Sequence, residues 1–469
     1  MPQRIETYEQ AIEFLYNRIN YERVAGTAYS AADLKLDRMR ELLRRIGNPQ
    51  EQIPVVHIAG TKGKGSTAVM IARVLETAGY RTGLFTSPHL SAFEERMSVD
   101  GRLPSPQQIV ELVNEIGEPV ADMDKSPGRL CPTYFEIAMA MAWLYFQRQR
   151  VDLAVLEVGL GGRLDATNVC RPEVCVITTI SRDHTRLLGS RLSQIAWEKA
   201  GIVKPGVPTV SGVTALEPSQ SIAAVCRELS APLRLLGRDF DYRASVVPLE
   251  HDPTAMEISV VDVSIGDRQW LGLPVPLRGR HQAHNAAVAV AAVDLLMQHG
   301  WEITASAIRD GLHRVNWPAR VEMVGRNPTV IVDAAHNWAA IAALLRALED
   351  LPARRRVLVL AATQDKDVEG MLRQLIPRFD TLIATSYLNN PRAVPTEELG
   401  RQLAMISDRP FHMAPDPAAA WKLARRLAAP DDLICITGSF FIAAEVRDLI
   451  LDAAQARSSH DRPSNRVRY

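Results

Sequence analysis

Three glycines and two lysines in His57-Ile-Ala-Gly-Thr-Lys-Gly-Lys-Gly-Ser66 stand between an apolar run and an amphipathic one. Gly60, Gly63 and Gly65 permit positive φ and close backbone approach, so successive N–H groups, the start of a helix and the Lys64 ammonium can face one anion. The chemistry this suggests is phosphate binding, with Thr61 and Ser66 as hydroxyl partners in the same loop. A tight turn would use the same glycines, and the spacing departs from the general P-loop pattern because Gly65 separates Lys64 from Ser66. A second chemical group is Glu157, which ends the apolar run Val151-Asp-Leu-Ala-Val-Leu-Glu-Val158 just before Gly159-Leu-Gly-Gly-Arg-Leu-Asp-Ala-Thr-Asn168. A carboxylate in such a run must be paired, hydrogen-bonded or bound to a metal. It suits Mg²⁺, which takes one or two carboxylates alongside nucleotide phosphates and water; a structural salt bridge is the alternative.

These groups need strands to hold them. Ile53 to Ala59, Arg81 to Thr86, Val151 to Val158 and Val174 to Ile180 read as buried strands, and Ile71, Val74, Leu75 and Ala78 recur at helical spacing after the glycine loop. The strands deliver Ser87, Glu157 and Asp183-His184 to their carboxyl ends, where open α/β sheets gather ligands. Ser87 reads equally well as a turn serine, and a lone histidine is more often packed or on the surface. Lys199, judged by its neighbours, is a surface lysine.

Residues 1–50 are expected to form a helical cap, with helices near Tyr8 to Leu15 and Leu34 to Ile46. A prolyl and glycyl polar stretch over 101–132 precedes a helix from Tyr134 to Phe146. Alternating short strands over 237–276 suggest a small β-rich insertion in a central domain spanning 51–316, and Asn285 opens an alanine-rich helix after the basic loop Leu277 to His284. From 317 to 457 strands and helices alternate regularly, the pattern of a second, mostly parallel Rossmann-like domain. Residues 458–469 read as a disordered tail.

The 54 basic and 54 acidic residues balance, which gives no reason to expect nucleic acid or a membrane surface as partner. No apolar run approaches the length of about 18 residues needed to span a bilayer, and Met1 to Asn20 carries charges throughout, so a cytoplasmic protein is expected. Five scattered cysteines without a Cys-x-x-Cys pair suggest neither zinc nor redox work.

Taken in order, Gly60-Thr-Lys-Gly-Lys-Gly-Ser66, Thr86-Ser-Pro-His-Leu90, the Glu157 to Asn168 string, Asp183-His184, Glu198-Lys-Ala-Gly-Ile202, His284-Asn285, Asp333-Ala-Ala-His-Asn337 and Gly438-Ser439 resemble the folylpolyglutamate synthase and dihydrofolate synthase family of the Mur ligase superfamily. The resemblance implies an α/β Mur ligase fold, a P-loop-type ATP-binding domain with a parallel sheet joined to the Rossmann-like domain. It implies a monomer that joins L-glutamate to a folate or to dihydropteroate through an acyl phosphate. In that reading Lys64 holds phosphate, and Ser87, Glu157 and His184 bind Mg²⁺ between them. Lys199 would be carbamylated and ligate a second Mg²⁺, against its surface reading. Asn285, Arg320 and Asp333 match ATP-binding positions, and His336 one associated with glutamate or the intermediate. Thr133, Tyr134, Phe135, Glu136, Arg163, Leu164 and Asp165 correspond to the pterin-side pocket. Lys62, Arg182, Arg186 and Ala319 stand where other residues are more usual. A cell-wall Mur ligase and a nucleotide-binding module without ligation are the competing expectations; Gly65 and the Gly159 to Asn168 string argue against the first.

Overall fold

Alternating apolar runs build two sheets of parallel character. A computed structural model describes residues 4–22, 35–126, 130–247 and 258–460, the side chains of 454–460 excepted. The chain divides into two compact units between Trp317 and Pro318.

The first unit holds β1 (Val55–Ala59), β2 (Thr82–Phe85), β3 (Met97–Val99), β4 (Leu153–Glu157), β5 (Pro172–Ile177), β6 (Thr209–Ser211) and β7 (Leu233–Leu235) in the order β3-β2-β4-β1-β5-β6-β7. Every neighbour pair is parallel except β2 with β3. Strands β1 and β4 are buried along their whole length, as a parallel sheet covered on both faces requires. The two-residue period then sorts side chains. Val56, Ile58 and Val155 join one core with the helices Lys64–Thr77 and Arg280–Gln298, while Val55, Ala154 and Leu156 join another with Pro106–Lys125 and Tyr134–Arg148.

The helices Tyr8–Tyr16 and Leu36–Arg45 contribute Ala11, Leu15, Met39, Leu42 and Leu43 to that second core, so they share it with the sheet rather than standing apart as a cap. Residues 23–34 lie outside the described residues. The polar stretch expected over 101–132 is instead dominated by the 20-residue helix Pro106–Lys125. Ser105 and Gln108 close a capping box at its start, and Ile109, Leu112, Val113, Ile116, Val120 and Met123 form a buried stripe that outweighs the internal Pro119.

Strands β8 (Phe240–Val247), β9 (Ile258–Ile265) and β10 (Arg268–Val275) form a separate antiparallel sheet, with 248–257 outside the described residues. The alanine-rich helix packs against β8 and β9 as well as β5 and β6. It begins at Arg280, not at Asn285, so Asn285 sits in its second turn and is buried.

The second unit holds β11 (Glu322–Gly325), β12 (Thr329–Val332), β13 (Arg356–Leu360), β14 (Thr381–Ala384), β15 (His412–Met413) and β16 (Leu433–Thr437) in the order β11-β12-β16-β13-β14-β15. Only β11 runs antiparallel to its neighbour. The final helix Phe440–His460 includes 458–460, which were expected in a tail; 461–469 lie outside the described residues. No helix among the described residues is long and apolar enough to cross a membrane.

Helix Ala305–His313 crosses the helix after the glycine loop at Gly311, where an added Cβ would lie 2.6 Å from the Val74 Cα. Backbone meets backbone there, so no side-chain rotation relieves the overlap. Gly311→Ala is expected to lower stability by about 1–3 kcal/mol in urea unfolding, the usual cost of overpacking a filled interior.

Candidate functional site

The turn from β1 to helix Lys64–Thr77 carries the glycine loop. Gly63 caps that helix with φ of 85°, and a Cβ on it would lie 2.2 Å from Asn285 Oδ1. Glycine is required twice over, by backbone conformation and by the amide packed against it. The first N–H groups of the helix are left without carbonyl partners inside the helix and lie beside Lys64 at its first position, an arrangement suited to an anion.

The loop is stitched to the segment that follows β5. Thr61 N–H donates to the Thr179 carbonyl at 2.7 Å, and Lys62 N–H to Thr179 Oγ1 at 3.0 Å. The Thr178 and Thr179 hydroxyls donate to the Lys62 carbonyl at 2.6 and 3.0 Å, and Ser181 N–H donates to Thr61 Oγ1 at 3.0 Å. Lys62, unassigned by the sequence, pairs with Asp183 at 3.1 Å, so its extra charge is directed to the residue before His184. Ser66 is buried in the first turns of the helix.

Glu157, at the carboxyl end of β4, is buried. Lys64 Nζ lies 3.7 Å from its Oε1, and Ser87 N–H donates to its Oε2 at 3.2 Å. The glycine loop, the end of β2 and the end of β4 therefore meet at one carboxylate. His184 is exposed and in the left-handed region with φ of 49°, its Nε2 3.8 Å from Asp183 Oδ1. Among the described residues no group of three or more His, Cys, Asp or Glu side chains could hold a metal by itself. The donors present suit a hard cation whose remaining ligands are phosphate oxygens and water, with one carboxylate, Glu157, beside the phosphate loop.

Lys199 is not a surface lysine. It lies near the end of helix Leu192–Ala200, is only 5% exposed, and burial, reinforced by the Lys64 charge and opposed by Asp183, lowers its ammonium to about 7. Arg163 N–H donates to the Glu198 carbonyl at 2.8 Å, the Arg163 guanidinium pairs with the Glu198 carboxylate at 2.9 Å, and the Asn168 amide donates to the carbonyls of Arg163 and Gly201. These bonds bind the loop after β4 to the end of the lysine's helix. Arg163 also lies over the Trp197 ring.

The residues assigned to a pterin-side pocket divide. Thr133 caps helix Tyr134–Arg148 and donates its own N–H to the Glu136 carboxylate at 2.7 Å, and Glu136 also pairs with Arg38 at 3.1 Å. Tyr134 faces the core, stacked on Tyr16 and beneath the Arg96 guanidinium. Phe135 alone of the four is partly exposed, its ring against the place a Gly159 Cβ would occupy. Leu164 is half-buried in the turn before Asp165; Asp165 is buried and accepts from the Leu160 N–H at 2.8 Å. Burial pushes the Asp165 carboxyl up from its ordinary range.

In the second unit Asp333 follows β12 and accepts from the N–H groups of Val321 and Ala335, both at 2.8 Å. It thereby holds the segment 319–321, where Ala319 and Val321 take φ of 53° and 49°. A β-branched residue in that region is a true outlier, kept by the bonds around it. Ala319, which stands where the family resemblance implies another residue is more usual, adopts a backbone conformation that favours glycine. Arg320 lies between them with its guanidinium 5.7 Å from the Phe440 ring. His336 donates from Nδ1 to the Ala334 carbonyl at 2.9 Å, which directs Nε2 away from that bond.

The family description "Mur ligase middle domain" matches residues 58–293, and "Mur ligase, glutamate ligase domain" matches 319–440. The chain is 33% identical over 444 residues to the Bacillus subtilis dihydrofolate synthase/folylpolyglutamate synthase, covering 94% of this chain and 98% of the relative. This chain belongs to the folylpolyglutamate synthase/dihydrofolate synthase family of Mur ligases. The Mur ligase fold is shared with Escherichia coli FolC in complex with DHPP and ADP, at a TM-score of 0.82, 31% identity, and coverage of 97% of this chain and 100% of that one. A bifunctional folylpolyglutamate synthase/dihydrofolate synthase with Mn, AMPPNP and L-glutamate bound matches at a TM-score of 0.81 and 29% identity, covering 96% of this chain and 99% of that one.

Sequence reasoning missed the burial of Lys199 and the Lys62 to Asp183 pair, because both depend on segments distant in the chain. Gly63→Ala combines a disfavoured φ with the 2.2 Å overlap on Asn285. The variant is expected to bind ADP at least about tenfold more weakly by calorimetry, since the conformational cost alone is about 1–2 kcal/mol.

Proposed function

We propose that this Mur ligase family member joins L-glutamate to the γ-carboxyl of a folate, with dihydropteroate as a second acceptor, at the expense of ATP. The observation that carries the reading is the buried Glu157 carboxylate set between the Lys64 ammonium and the Ser87 N–H at the mouth of an anion-binding helix start. Relatives named for both synthase activities, and a related structure holding a nucleotide analogue and L-glutamate, support the choice of substrates.

In this reading the substrate carboxylate attacks the γ-phosphorus, ADP leaves, and the glutamate amine then attacks the acyl carbon and expels phosphate with loss of a proton. Lys64 and the helix N–H groups hold the phosphates and stabilise charge that grows on them. Ser87, Glu157 and His184 would hold one Mg²⁺, and Lys199 as its carbamate a second; the metal supplies charge stabilisation at the transferring phosphoryl group. Burial of Lys199 favours the neutral amine that CO₂ requires, and carbamylation makes the side chain an anionic ligand. Asn285, Arg320 and Asp333 are assigned to the nucleotide, His336 to the incoming glutamate or the intermediate, and Phe135, Arg163 and Asp165 to the pterin side.

Lys64→Ala is expected to abolish folate- and glutamate-dependent ADP release; unchanged turnover would sink the reading. Offering dihydropteroate and tetrahydrofolate separately with ATP, Mg²⁺ and glutamate, and weighing the products, separates one activity from two. Metal-dependent ATP binding without ADP release under any of these conditions would favour a module without ligation. Native mass measurement under CO₂ is expected to show one added carboxyl that disappears in Lys199→Met.

A further inference from the structure

His57 has no exposed surface, lies in the central strand β1 among Val55, Val56, Ile58 and Ala59, and has no part in the reaction as described. An imidazole in such a strand is unfavourable against an aliphatic side chain unless its nitrogens are bonded. Both have partners: Nε2 lies 2.8 Å from Thr167 Oγ1, and Nδ1 lies 3.6 Å from Cys170 Sγ. The Thr167 hydroxyl in turn lies 2.5 Å from Asp165 Oδ1, which also accepts the Thr167 N–H at 3.0 Å.

Chemistry fixes the direction of this chain. The carboxylate accepts, so the Thr167 hydroxyl donates to it and its oxygen must accept from His57 Nε2–H. Burial holds His57 neutral, lowering it to about 3, which leaves Nδ1 as acceptor for the Cys170 thiol that burial keeps protonated. The other oxygen, Asp165 Oδ2, accepts the Leu160 N–H at 2.8 Å. Asp165 Oδ2 lies 3.2 Å from where a Gly159 Cβ would be, and the Phe135 ring crowds the same point at 2.7 Å.

We propose that His57 is a positioning residue for the ligase: acting through the Thr167 hydroxyl, and together with the Leu160 and Thr167 N–H groups, it fixes the rotamer of Asp165 and hence how that carboxylate is presented to the pterin side of the folate. The proposal rests on the assignment of Asp165 to that side. His57 itself touches neither substrate nor nucleotide.

Steady-state kinetics with tetrahydrofolate, ATP, Mg²⁺ and glutamate test it. Thr167→Val and His57→Leu are expected to raise the KM for tetrahydrofolate about tenfold, the loss of one hydrogen bond to a charged group, and to leave the KM for ATP within about twofold. Thr167→Ser, which keeps the hydroxyl, is expected to restore the folate KM. Equal rises in both KM values, or failure of serine to rescue, would overturn the relay in favour of a packing role. Asp165→Asn separates the two layers: if it raises the folate KM while Thr167→Val does not, the relay alone falls, and if it leaves the folate KM unchanged, the assignment of Asp165 falls and the relay with it. Should the leucine variant fail to fold, ¹⁵N NMR of the imidazole in the unmodified enzyme decides. The Nε2–H tautomer is expected; the Nδ1–H tautomer overturns the proposal.

Discussion

A carboxylate buried at the end of a central strand is the constraint from which the first unit follows. Removing Glu157 from water costs several kcal/mol unless charge and hydrogen bonds are returned to it. Lys64 and the Ser87 N–H return them, and each can do so only because β1, β2 and β4 are neighbours in a parallel sheet and end at the same edge. The helices on either face cover the sheet and exclude water from most of it. Glu157 is thereby held at the sheet edge between the glycine turn and the end of β2.

Much of this was legible because parallel strands buried on both faces read as unbroken apolar runs, and the polar residues that follow these runs mark the edge where Lys64, Ser87 and Glu157 meet. The short strands β3, β6, β7 and β11 left no such trace: three or four residues at an edge or beside it carry too little pattern. The helix Pro106–Lys125 was hidden by its prolines and glycine, although its stripe from Ile109 to Met123 was present to be counted. Asn285 was placed at a helix start because asparagine is a common cap, whereas the helix begins at Arg280 and the amide is used against Gly63.

Residue environments were less legible than elements. Lys199 has small neighbours in sequence, and its burial comes from the loop of residues 162–168 folding onto its helix, some thirty positions away. His57 lies 110 residues from Thr167. Thr133 and Glu136 show the opposite limit: a motif match assigned them to a pocket, while the capping box and the Arg38 pair already use their polar atoms. A sequence motif identifies a neighbourhood, and only the fold says which of its members face outward.

The bonds between residues 61–62 and 178–183 have a thermodynamic meaning of their own. They make the turn after β1 and the segment bearing His184 one connected piece, so the spacing between Lys64 and His184 is set when the chain folds. Ordering two separate loops at the moment of binding would subtract their lost rotamer and backbone freedom from the affinity. Here that entropy is surrendered on folding, and a ligand held between the two segments would keep more of its interaction energy for orienting the groups that react.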